Sequence, residues 1–98
     1  MAFVQIIDGR TDKMDELQKL DEEWFAATEG KRTLTRSVVG RDRNDPEHFV
    51  VLAFFDSYES AMKNSNLPET SDFAERQAKL MKETPTFIDL EIIDDRSS

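Results

Sequence analysis

Few side chains in this sequence are suited to chemistry, and most of those occur once. His48 is the only histidine and there is no cysteine, so a thiol nucleophile, a disulfide framework and a histidine-rich metal site are all ruled out. His48 follows the Asp45–Pro46–Glu47 turn. There an imidazole either sits solvated against the turn or serves as a general base that takes a proton from a phenol or enol. Arg32, Arg36, Arg41 and Arg43 concentrate positive charge in one short stretch. In a strand, Arg36 shares a face with Leu34 and Val38, while Thr33, Thr35 and Ser37 point the other way. An arginine in that position is either paired with a carboxylate or faces a wet cavity, where its fork suits an anionic or carbonyl-bearing ligand. Trp24, the single tryptophan, is a core residue or one wall of a pocket for an aromatic ligand, and Phe25 beside it is a candidate second wall. Asn64, Ser65 and Asn66 are either turn formers or amide and hydroxyl groups that hydrogen-bond a ligand. Gln5 is a lone amide in an apolar strand and needs a partner. Asp89 and Glu91 are edge charges or partners for the arginines.

The elements that must position these groups follow from periodicity. Ala2 to Asp8 reads as a strand ended by Gly9. A helix is predicted over Asp12 to Thr28, with Thr11 or Asp12 as N-cap, Gly30 beyond its end, and a stripe of Met14, Leu17, Leu20 and Trp24. Arg32 to Arg43 reads as a second strand, Asn44–Glu47 as a turn and His48 to Phe55 as the returning third strand. Asp56 and Glu59 have capping-box spacing and open a short helix carrying Tyr58, Ala61 and Met62. Asn64–Pro68 breaks that helix, a further helical run spans Ser71 to Lys82, Pro85 stops it, and Thr86 to Ile93 is the last strand. The order βαββαβ predicts a ferredoxin-like α+β fold: a four-stranded antiparallel sheet with both helices on one face.

Composition narrows the class of protein. Ninety-eight residues without an internal linker read as one domain over residues 1–98. Thirteen Lys and Arg against 21 Asp and Glu give a net charge of −8, which repels phosphate backbones and anionic lipid; no nucleic-acid or membrane partner is expected. The chain has neither an apolar run of membrane-spanning length nor a signal-peptide pattern, so the expected location is cytoplasmic. No nucleotide-binding loop or nucleophile–base motif occurs, which argues against hydrolase, kinase and dehydrogenase chemistry.

One feature departs from a lone ferredoxin-like domain. Such a sheet has one wet face and should alternate apolar with polar. The third strand instead runs Phe49, Val50, Val51, Leu52, Ala53, Phe54, Phe55, and the first carries Phe3, Val4, Ile6 and Ile7. Both faces therefore receive large apolar groups. Burial of the second face in a homodimer, sheet against sheet, is the expectation.

The element order, the apolar third strand and the Phe55-Asp56-Ser57-Tyr58-Glu59-Ser60-Ala61 passage from strand to helix resemble the dimeric α/β-barrel superfamily. Within it, the chain is most similar to antibiotic-biosynthesis-monooxygenase-like domains from about Phe3 to Ile93. The resemblance implies a dimeric α/β barrel with a pocket between each subunit's sheet and its helices. Haem-degrading relatives use an Asn, a Trp and a haem-ligating His, which fall near Gln5, Ser65 and Gln77 here; none matches, so no haem or other cofactor is expected. The quinone-forming relatives hold an anionic phenol with Asn, Trp and Arg or Tyr side chains, and this chain offers Trp24, Arg36, Tyr58 and Asn64 as ligand-binding candidates. His48 and Arg36 are the candidates for a catalytic role. Two functions compete: a cofactor-independent monooxygenase acting on an aromatic or phenolic substrate, and a non-catalytic ligand-binding or dimerisation module.

Overall fold

The computed structural model describes residues 2–98. Its elements are β1 (Phe3–Arg10), α1 (Met14–Ala27), β2 (Arg36–Arg41), β3 (His48–Phe55), α2 (Tyr58–Ser65), α3 (Pro68–Ala78) and β4 (Thr86–Glu91). The strands form one antiparallel sheet in the order β2-β3-β1-β4. The predicted element order and the third strand hold residue for residue, and the helices cover one face.

The barrel does not hold. β2 and β4 are the outer strands, each bonded on one side only, so the sheet is open with two free edges. Four strands are too few to close on themselves; small closed barrels have about eight.

Smaller departures have local causes. β1 continues through Gly9 to Arg10 because Gly9 pairs with Phe49 and Arg10 with His48. β2 begins only at Arg36, since the chain before it is held by α2: the Thr33 hydroxyl donates to the Ser60 carbonyl, and the Thr33 N–H donates to Asn64 Oδ1 at 3.2 Å. α2 is capped by Ser57, not Asp56; Ser57 Oγ accepts from the Ser60 N–H at 3.0 Å. α3 starts three residues earlier than the periodicity indicates, because Pro68 takes the first helical position, where its missing N–H costs nothing.

Strand pairing sorts side chains onto two faces. Phe3, Gln5, Ile7 and Gly9 of β1 lie opposite Phe55, Ala53, Val51 and Phe49 of β3, facing the helices. Val4, Ile6 and Asp8 lie opposite Phe54, Leu52 and Val50 on the other face, which Arg36 and Val38 extend from β2, and Ile88 and Leu90 from β4. That second face carries no helix, and Ile88 and Leu90 are exposed.

On the helix face Phe49 is completely buried, and its ring lies against Gly9. A Cβ at Gly9 would stand 2.9 Å from Met81 Cε and 3.0 Å from Phe49 Cζ. The Met81 methyl can swing aside but the fully buried Phe49 ring cannot, so Gly9→Ala is expected to destabilise by about 1–3 kcal/mol, as overpacking does. Gly40→Ala, which meets nothing within 4 Å, should stay within about 0.5 kcal/mol in the same thermal or urea unfolding experiment.

Candidate functional site

α1 approaches α3 more closely than it approaches any strand. Trp24 makes this tie: it is buried, its indole N–H donates to Thr70 Oγ1 at 3.0 Å, and its ring centroid lies 6.2 Å from that of Phe73. The space left between the helices and the sheet is a half-enclosed cavity of about 150 Å³. Its walls are aromatic and aliphatic, with Trp24 and Phe73 above and Phe49, Val51 and Ile7 below. An apolar cavity of that volume holds one benzene-sized ring.

Polar groups enter this lining from every side. Asn64, 7% exposed, accepts from the Thr33 N–H through Oδ1, while its Nδ2 donor has no partner among the described residues. Gln5 donates to Asp89 Oδ1 at 3.0 Å, which gives the lone amide of β1 its partner on β4. The Asp89 carboxylate thus meets Gln5 rather than the β2 arginines, from which two intervening strands separate it. Thr70 accepts from Trp24 and keeps its hydroxyl proton for a further acceptor. Asp21 of α1 also lines the cavity; burial raises its carboxyl pKa above the ordinary range, and neighbouring Glu22 adds to the rise.

The structure brings two of the expected ligand-binding residues, Trp24 and Asn64, into one cavity, together with Ser65. Arg36 lies on the opposite face of the sheet, with its guanidinium 5.7 Å from the Phe54 ring centroid. Leu34, before the start of β2, does line the cavity, so the alternation that groups it with Arg36 fails at the strand's first residue. Tyr58 is outside the lining and packs edge-on against Phe3 at 5.6 Å. Phe25 turns from the cavity to lie beneath Arg32, whose guanidinium is 4.2 Å from its ring centroid and donates to its carbonyl; Phe73 is the second aromatic wall instead. Sequence reasoning passes over Asp21 and Thr70, and places Phe73 on one side of the last helical run without assigning it to the site. Asp21 carries a usable signal: four residues after Leu17 and three before Trp24, it falls on the inward row of α1.

His48 is also away from the cavity, clamped between two carboxylates. Nδ1 is 2.8 Å from Asp42 Oδ2 and Nε2 is 2.8 Å from Asp8 Oδ1. The hydrogen bond to Asp42, then that to Asp8, holds the imidazole pKa above its ordinary 6.5. Asp42 is held below its ordinary 3.8 by His48 and by the Asn44 N–H. Beside the clamp, Arg10 pairs with Asp45, and Lys82 Nζ lies 2.8 Å from Glu47 Oε1. Both ring nitrogens are engaged by carboxylates, so this imidazole joins the end of β1 to the β2–β3 turn.

The fold matches that of antibiotic-biosynthesis-monooxygenase-like proteins. SnoaB, a cofactor-independent oxygenase from Streptomyces nogalater, superposes with a TM-score of 0.81 at 12% identity, covering 96% of this chain and 95% of its own. Rv0793 from Mycobacterium tuberculosis gives a TM-score of 0.81 at 12% identity, over 99% of this chain and 100% of its own. A solved antibiotic biosynthesis monooxygenase gives 0.75 at 15% identity, over 96% and 100%. At these identities the likeness is one of fold. No protein-family model matches the chain, and no curated protein matches it in sequence. Among the described residues no helix is long and apolar enough to cross a membrane.

The clamp generates a pH dependence. Because the imidazole pKa is raised on folding, its stabilisation is fully present below pH 6.5 and is lost as pH rises through the folded value. The Asp42 contribution is present above pH 3.8 and is lost as pH falls through its lowered value. Both operate together between those limits. The wild type is expected to lose melting temperature as pH rises above 6.5, and His48→Gln to lack that decline; parallel curves for the two proteins from pH 6 to 9 would refute the clamp.

Proposed function

We propose that the protein binds a hydroxylated aromatic ring in the helix–sheet cavity and oxidises it with molecular oxygen, without a cofactor. The observation that carries this reading is the cavity itself: a ring-sized apolar space walled by Trp24, Phe49 and Phe73, with the free Asn64 amide donor and the Thr70 hydroxyl in its lining. The likeness of fold to SnoaB supports it. In the balanced reaction a phenol and O2 give a quinone and water. One oxygen atom enters the ring, and the other leaves with the ring hydrogen and the hydroxyl hydrogen; the ring supplies all the electrons. The chain has only to bind the ring, exclude bulk water and stabilise negative charge that develops on oxygen, for which amide and hydroxyl donors serve.

A second reading, a non-catalytic binding module, is favoured by how many of the polar groups already have partners: Trp24 on Thr70, Gln5 on Asp89, Asn64 Oδ1 on Thr33. Oxygen uptake separates the two. With a panel of dihydroxynaphthalenes, stoichiometric oxygen consumption and quinone absorbance are expected. Asn64→Ala should lower kcat/KM by about 10- to 100-fold, the worth of one hydrogen bond to a developing charge at about 1.5–3 kcal/mol. Binding of the same compounds without oxygen uptake would establish the second reading.

The assembly we propose is a homodimer through the uncovered sheet face. The chain exposes 6823 Å², against about 5,700 Å² for a monomer of its mass. The excess of roughly 1,100 Å², to which the extended C-terminal residues contribute, exceeds the approximately 800 Å² that each partner loses in an ordinary interface. Leu52→Asp and Ile88→Lys both place a charge on this face, whereas Val51 points into the cavity. Either variant should sediment as a monomer, with Ile88→Lys the milder because Ile88 is already 45% exposed. A monomeric wild type at micromolar concentration would overturn the assembly.

A further inference from the structure

We propose that Asp21 decides which ligands the cavity admits: its carboxylate accepts a hydrogen bond from a ligand hydroxyl or ammonium group and turns anionic ligands away. The proposal rests on reading the cavity as a ligand site, as above, and adds the charge and donor character of the ligand.

Three observations carry it. First, among the described residues Asp21 is the only charged side chain in the lining; the other polar members, among them Gln5, Ser37, Asn64 and Thr70, are neutral. An anionic ligand would therefore have no cation to balance it and one carboxylate to repel it. Second, the arginines suited to holding an anion are committed elsewhere. Arg36 is on the far face of the sheet over Phe54, and Arg32 is bonded to the Phe25 carbonyl. Third, Asp21 is half-buried and has neither an ion pair nor a side-chain hydrogen bond among the described residues. A carboxylate taken partly from water and left without a donor gains most from a ligand that brings one. Burial also raises its proton affinity, and Glu22, the neighbour that acts on it, has the same sign.

The position on α1 is what aims the group inward. Leu17 and Trp24, the residues four before and three after, are both buried and both line the cavity, so the helix presents Asp21 between them. A carboxylate among apolar neighbours is costly for folding alone. A ligand donor offsets that cost, and an anion adds to it. A neutral phenol, whose hydroxyl donates to Asp21 while Asn64 Nδ2 meets a second oxygen, satisfies both groups.

The test uses three probes of one shape and different charge: 1-naphthol, 1-naphthoate and 1-naphthylmethylammonium. Trp24 is the only tryptophan and lines the cavity, so quenching of its fluorescence reports binding. The wild type should bind naphthol and the ammonium probe more tightly than naphthoate by about tenfold or more, the low end of what a like charge at close range does. Asp21→Asn should bring naphthoate level with naphthol and weaken the ammonium probe, and Asp21→Glu should keep the wild-type order. Equal binding of naphthoate and naphthol by the wild type, or an order unchanged in Asp21→Asn, overturns this proposal and leaves the cavity reading standing. Quenching by none of the three overturns both.

Discussion

A sheet with apolar side chains on both faces and helices on only one of them sets the problem that the rest of this structure answers. β1 and β3 lie side by side at its centre, and their pairing sends Phe3, Ile7, Phe49, Val51 and Phe55 to one face and Val4, Ile6, Val50, Leu52 and Phe54 to the other. Each set is large enough to require cover, because exposed apolar surface costs roughly 25 cal/mol per Å² relative to burial. The helices supply cover for the first set. The second set has no helix over it, and the sheet-to-sheet assembly we propose would cover it together with the exposed Ile88 and Leu90.

The helix layer does not lie flat on its own face, and the cavity results from that. α1 leans on α3 through the contacts of Trp24 with Thr70 and Phe73, so its inward row stands off the strands. The break between α2 and α3 at Asn66 and Leu67 lets Asn64 turn inward at the end of one helix while Thr70 and Phe73 enter from the next. Thr33 ties the approach to β2 onto α2 through Asn64 and Ser60, beside the lining residues Leu34 and Asn64. Below it, the Phe49 ring lies on Gly9 and forms a firm floor. The cavity is built from tied elements, with a small number of free donors left over.

Charge is distributed to match. Most of the 21 acidic residues lie on the surface, and several of the ion pairs gather at one end of the sheet, where Asp8, Asp42 and His48 form one group and Arg10, Asp45, Glu47 and Lys82 another. That end is where the β2–β3 turn meets the end of β1 and the approach to β4, so the pairs join segments distant in sequence. Exposed pairs of this kind contribute little individually. Their geometry nonetheless places the only histidine in a structural role and leaves Asp21 as the one charge in the cavity.

Much of this was legible in the residues alone. The run from His48 to Phe55 announces a central strand with two apolar faces, because a period of two is a property of the extended chain itself. The α1 stripe of Met14, Leu17, Leu20 and Trp24 likewise needs only the helical repeat to be read; the last three are buried and Met14, at the helix start, is half-buried. The order βαββαβ follows from such local signals, and with it the sheet and the helix layer. The roles of Arg36, Tyr58, Phe25 and His48 could not be read that way, since each depends on a neighbour more than a few residues away. Alternation assigns Arg36 a face relative to Val38 but does not say which face the helices cover, and the early start expected for β2 groups it wrongly with Leu34. Whether His48 is a base or a strut is decided by Asp8, forty residues earlier, and by Asp42 across the turn. Local periodicity determines which way a side chain points relative to its own element. What it points at depends on how the elements pack, and only the tertiary structure decides that.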